Sequence, residues 1–69
     1  MGDRLTPRER EVVRLLGHGM SQRQIAATLS ISVRTVEAHV NHARRKTGAS
    51  NTFVLRLQAA QAAQNGGEL

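Results

Sequence analysis

Met20-Ser21-Gln22-Arg23-Gln24-Ile25-Ala26-Ala27-Thr28-Leu29-Ser30-Ile31-Ser32-Val33-Arg34-Thr35-Val36 carries two helix starts in close succession. Ser21 followed three residues later by Gln24 is a capping box, in which the two side chains satisfy amides that open a helix. Met20 and Ile25 stand at the two positions of a hydrophobic staple around that cap. Ile25, Ala26 and Leu29 form the inward stripe of a helix about two turns long. Ser32 caps the next helix, stapled by Ile31 and Val36. Only Ser30-Ile31-Ser32 separates the two, which suits a sharp crossing, and the small Ala26 lets another backbone come close. The spacing predicts a helix-turn-helix unit, with Ser30 where such a turn often holds glycine.

Further signals lie on either side. Upstream, Thr6-Pro7-Arg8-Glu9 combines a cap residue, a proline at the first helical position and a glutamate at the third. Glu11 to Leu16 carries apolar residues at helical spacing, and Gly17 and Gly19 are expected to stop that helix. Downstream, the helix opened by Ser32 is expected to span about residues 33–46 and end at Gly48, with Val36, Val40 and Ala43 facing inward. Asn51 caps a fourth helix containing Phe53, Val54, Leu55, Leu57, Ala59 and Ala60. The expected organisation is an all-α, four-helix bundle over residues 5–63, a short extension over 1–4 and a flexible tail over 64–69.

Composition narrows the function. The chain has 69 residues, with ten Lys plus Arg against five Asp plus Glu, a formal charge of +5. That size fits one small domain. The absence of cysteine excludes disulfides and Cys-ligated zinc. No apolar run approaches the length of a membrane span and no secretory signal follows Met1, so a soluble, cytoplasmic protein is expected. The basic balance, with a pI near 11.7, points to a polyanionic partner. Phe53 is the single aromatic residue, which argues against modules that stack bases.

At about 100° per residue, Val36, Val40, Ala43 and Thr47 cluster on one side of the third helix, and Arg34, Ala38, Asn41 and Arg45 project from the other. Glu37 and His42 flank that outer stripe. Ala38 keeps the surface low enough for close approach to a groove and suits contact with a thymine methyl. Arg34 and Asn41 match guanine and adenine edges, and Glu37 a cytosine amino group. Arg34 and Glu37 can equally well pair with each other on the helix surface. Arg44, Arg45 and Lys46 either complement the helix dipole or contact phosphates, the second favoured by the net charge. Thr35 can donate to another phosphate, and the helix opened by Ser21, Gln22 and Arg23 can hold one at its N-terminus. Arg8, Arg10 and Arg14 read as a solvated face.

Catalysis and metal binding find no support. His39 and His42 are three residues apart, but no cysteine or carboxylate pair completes a ligand set; His39 reads as a packing residue at the edge of the inward stripe. No nucleophile, base and orienting group can be assembled, and no phosphate-cradling glycine loop is present. No enzyme activity and no cofactor are expected.

Leu5-Thr6-Pro7-Arg8-Glu9-Arg10-Glu11-Val12, Gly19-Met20-Ser21, Ile25-Ala26, Leu29-Ser30-Ile31-Ser32, Thr35-Val36 and His39 together resemble the LuxR-type (GerE-like) helix-turn-helix domain. That domain is shared by quorum-sensing regulators, response regulators and small sporulation regulators of bacteria. The resemblance spans about Leu5 to Ala60. It implies a four-helix domain of a bacterial transcription regulator, with the third helix in the major groove of double-stranded DNA. It also implies a dimer through the fourth helix on a two-fold site, a weak one here given the run from Gln58 to Ala63. Carried over by position, base-facing places fall on Glu37, Ala38 and Asn41, and phosphate-facing places on Gln22, Arg23, Thr35 and Lys46. Lysine is frequent in the family where this chain has Glu37 or Asn41, so its preferred site is expected to differ. Thr47 stands where leucine is usual, and Phe53 is expected to fill the space so opened.

Two other classes of partner fit a basic helical module. One is a protein of the transcription machinery such as RNA polymerase, contacted as the related helical end of a sigma factor contacts it. The other is structured RNA recognised by shape. Met1-Gly2-Asp3, so close before the motif, suits either a piece of a longer regulator or a short stand-alone one.

Overall fold

The structure, a computed structural model, describes residues 4–64 and contains four helices: α1 (Pro7–Gly17), α2 (Gln22–Leu29), α3 (Val33–Thr47) and α4 (Thr52–Gln64). Among the described residues there is no strand, and the fold is all-α. α4 takes in Gln64, where the tail was expected to begin. The rest of that tail, residues 65–69, and residues 1–3 of the expected extension lie outside the described residues.

Each helix opens on its cap. The Thr6 hydroxyl accepts from the Glu9 amide at 3.1 Å and the Glu9 carboxylate accepts from the Thr6 amide at 3.0 Å. Ser21 and Gln24 repeat the exchange at 3.1 and 2.9 Å. Ser32 accepts from the Thr35 amide at 3.0 Å, and Asn51 accepts from Val54 at 2.9 Å.

Three of the helices end alike. A residue with positive φ turns the chain back so that outgoing carbonyls find donors. At α1 this residue is Gly19 (φ 90°), and the amides of Gly19 and Met20 bond the Leu16 and Leu15 carbonyls. At α3 it is Gly48 (φ 78°), with Ala49 bonded to Arg44. At α2 it is Ser30 (φ 59°), with Ser30 and Ile31 bonded to Ala27 and Ala26. A side-chain-bearing residue thus holds a conformation that disfavours a Cβ, and this sets the angle of the α2–α3 turn.

Gly17 departs from expectation. It is the last residue of α1 and does not stop the helix, which Gly19 does. Its missing side chain serves packing instead: a Cβ there would lie 2.8 Å from the Ala59 Cβ and 2.9 Å from the Ala59 carbonyl carbon. α1 and α4 approach as closely as two backbones allow at that point.

α1 sits at the centre. It packs most extensively on α4, then on α3 and α2, whereas α2 and α4 do not touch among the described residues. Val12, Val13 and Leu16 of α1, Ile25 of α2, Val36 and Val40 of α3 and Leu55 of α4 are fully buried.

Phe53 does not fill the α3–α4 junction as expected; it is 67% exposed. Leu55 and Ala59, four residues apart, turn inward and fix the phase of α4. Phe53 lies two residues from Leu55, about 200° around the helix, and so faces out. Buried Ala49 occupies the junction, the Thr47 hydroxyl donates to the Ala43 carbonyl at 2.9 Å, and Arg44 donates to the Ser50 carbonyl at 2.7 Å.

Candidate nucleic-acid interface

α3 is pinned along one side by buried Val36, Val40 and Ala43. That anchoring turns Arg34, Ala38, Asn41 and Arg45 outward, and all four are exposed, as is Glu37 beside them. Among the described residues Arg34 and Glu37 form no ion pair, with each other or with another side chain. Ala38, Asn41, His42, Arg44, Arg45 and Ala49 line an open groove running from the middle of α3 to the α3–α4 junction. The face is therefore a low alanine platform bordered by arginine, asparagine and histidine.

The residues expected to meet phosphates are less uniform. Arg23 is exposed in the first turn of α2, and Gln22 is half-buried beside it. Thr35 is exposed, with its hydroxyl 2.9 Å from that of Ser32. Arg45 points out from the last turns of α3. Lys46 differs from all of these, because its ammonium donates to Glu9 of α1 at 2.7 Å and its side chain is only 25% exposed.

Glu9 was legible as a capping residue, but its second role was not. Its side chain is 5% exposed, and among the described residues it is the one charged residue in the buried set. One oxygen accepts from both the Thr6 amide and Lys46, and the other stands 3.5 Å from Nδ1 of His42. Burial alone pushes the carboxyl up. The Lys46 hydrogen bond, the Thr6 amide and the charges of Lys46 and His42 more than reverse this and hold it below the usual glutamate value. Capping geometry is local, whereas the partner Lys46 lies 37 residues away, and no short-range pattern links them.

Arg56 is a second residue that pattern did not disclose. From α4 it donates to the carbonyls of Leu16 at 3.0 Å and Met20 at 2.7 Å, closing the C-terminal end of α1. Among the described residues no three His, Cys, Asp or Glu side chains stand close enough to share a metal ion, and no helix is long and apolar enough to cross a membrane.

α2, the left-handed Ser30 and α3 thus compose a helix-turn-helix presented on a scaffold of α1 and α4. Residues 3–59 match the family described as bacterial regulatory proteins, luxR family, and the chain belongs to that family. It is 44% identical over 57 residues to a Mycobacterium bovis protein described as an HTH-type transcriptional regulator, a match covering 83% of this chain and 6% of that protein. It is 50% identical over 48 residues to the transcriptional activator protein BjaR1 of Bradyrhizobium diazoefficiens, covering 70% of this chain and 20% of that one. It is 41% identical over 44 residues to the nitrate/nitrite response regulator protein NarL of Escherichia coli, covering 64% and 20%. The chain therefore spans a small fraction of the length of these curated relatives. No solved structure matches it.

Proposed function

We propose that this chain binds double-stranded DNA sequence-specifically as part of a cytoplasmic, nucleoid-associated bacterial transcription regulator, with α3 in the major groove. The observation that carries this reading is the exposed stripe Arg34, Ala38, Asn41 and Arg45, opposite the buried anchors Val36, Val40 and Ala43. A helix so anchored offers a groove hydrogen-bonding side chains on a surface low enough for base edges to reach. Arg34, Glu37, Ala38 and Asn41 read bases, whereas Gln22, Arg23, Thr35, Arg45 and Lys46 meet phosphates. The names of the relatives, which include a transcriptional activator and a response regulator, support transcription as the setting. On a two-fold site the chain pairs through α4, whose exposed Phe53 and Leu57 supply the apolar contact.

Selection from a random duplex library at near-physiological salt tests this. Enriched two-fold half-sites about one helical turn apart are expected, with log K falling against log salt at about −0.9 per phosphate met. Asn41→Ala should return a library with one position relaxed, and Arg45→Ala should weaken every sequence alike. A library returned without enrichment would sink the base-reading assignment and turn attention to RNA polymerase or another protein as the partner.

A further inference from the structure

We infer that Glu9 is a positioning residue for nucleic-acid binding: from inside the α1–α3 seam it holds Lys46 extended, with its remaining donors turned to where a backbone phosphate arrives. The inference rests on the DNA-binding reading above. Lys46 Nζ lies 2.7 Å from a Glu9 oxygen, and that oxygen is itself fixed by the Thr6 amide at 3.0 Å. An ammonium has three donors and no acceptor, so one bond to Glu9 leaves two. The partial exposure of Lys46 gives those two a route to the outside.

A surface lysine freezes its four-carbon stem when it engages a phosphate, and that ordering opposes binding. Here the stem is already ordered by folding, because the carboxylate is rigid, buried and capped. His42, on the same side of α3, is the other group facing the carboxylate, with Nδ1 at 3.5 Å from its second oxygen. Glu9 also repels an incoming phosphate, which gives the opposite sign. That repulsion is weakened by salt and by the ammonium lying between the two anions, whereas the ordering of the stem is independent of salt.

The competing signs make the test decisive. The full chain is titrated onto a labelled random-sequence duplex of about two helical turns, as wild type, Glu9→Gln and Glu11→Gln. Both variants remove one negative charge, but Glu11 pairs with Arg8 on the surface of α1 and not with Lys46. The expected result is unchanged or tighter binding for Glu11→Gln. Glu9→Gln should bind about two- to twelve-fold more weakly, the factor for immobilising one long side chain. Because that ordering cost is independent of salt, the loss should persist from low to near-physiological salt, whereas any gain from removing the carboxylate's repulsion should fade as salt rises. The loss should vanish when Glu9→Gln is made in a Lys46→Met background, where there is no ammonium to position. Glu9→Asp keeps the charge but withdraws it by one methylene, and it serves as a second variant with the same expected loss if Glu9→Gln does not fold.

Equal or tighter binding by folded Glu9→Gln would overturn the positioning role while leaving DNA binding intact. So would a loss that persists in the Lys46→Met background. A wild-type chain that binds no duplex would overturn the DNA-binding reading itself, and this inference with it.

Discussion

The seam between α1 and α3 encloses a carboxylate, whereas the outer face of α4 leaves the chain's single aromatic ring in water. The two arrangements carry unequal costs. A buried charge is expensive unless paired and hydrogen-bonded, and Glu9 is both. An exposed ring forgoes a burial gain but strains nothing. The seam depends on internal partners and the outer face of α4 does not. Remove a contact at the α1–α3 seam and the fold must answer; remove the ring from α4 and only an external partner can notice.

Breaking the inner pair should destabilise the fold most. Lys46→Ala leaves the Glu9 carboxylate buried with only Thr6 and His42 to answer it. It should cost about 2–4 kcal/mol in denaturant unfolding, somewhat below the usual loss for a fully buried pair because Lys46 is partly exposed. That is a large share of the roughly 3–5 kcal/mol that a core this small supplies. A loss below about 0.5 kcal/mol, the size of an ordinary surface change, would mean that water already serves the carboxylate.

Acid breaks the same pair reversibly. The folded value of Glu9 lies below its unfolded one. Its stabilisation is therefore complete above about pH 4.3, the ordinary glutamate value, and fades as pH falls through the lower folded value. Thermal midpoints should decline as pH falls below about 4.3 in the wild type, and less steeply in Glu9→Gln. Parallel declines would assign the acid sensitivity to other groups.

On α4 the contrast can be drawn within one helix. Its inner face meets Gly17, where an added methyl would overlap Ala59. Gly17→Ala should cost about 1–2 kcal/mol, an overpacking penalty partly offset by the better helix propensity of alanine. Stabilisation by this change would show that the two helices can separate freely. On the outer face, Phe53→Ser should shift stability by no more than about 0.5 kcal/mol. Sedimentation should show weaker self-association on a two-fold duplex. If monomer stability fell while association held, the division between the two faces of α4 would be wrong.

The elements were legible because their signals are local. Thr6, Ser21, Ser32 and Asn51 each cap the helix they introduce, and the stripe of α3 follows from its own periodicity. The outward set Arg34, Ala38, Asn41 and Arg45 follows from the same period. The phase of α4 was not legible, since Phe53, Val54, Leu55 and Leu57 place apolar groups around the helix. Packing on α1 chooses Leu55 for the inside. Lys46 reads as one more free cation in a basic run, and nothing near it in sequence shows that Glu9 already holds it. Gly17 has the composition of a stop signal and the position of a packing contact, and only the approach of α4 separates the two.

Arg56 gives the fold an order in time. During synthesis α1, α2 and α3 are all polymerised before the residue that closes the end of α1. Arg56 bonds Leu16 across a separation of 40 residues. At about 5–20 residues per second the carbonyls of Leu16 and Met20 wait some 2–8 s for that guanidinium. α3 is complete before that guanidinium exists, but the scaffold it packs on is finished only when α4 arrives.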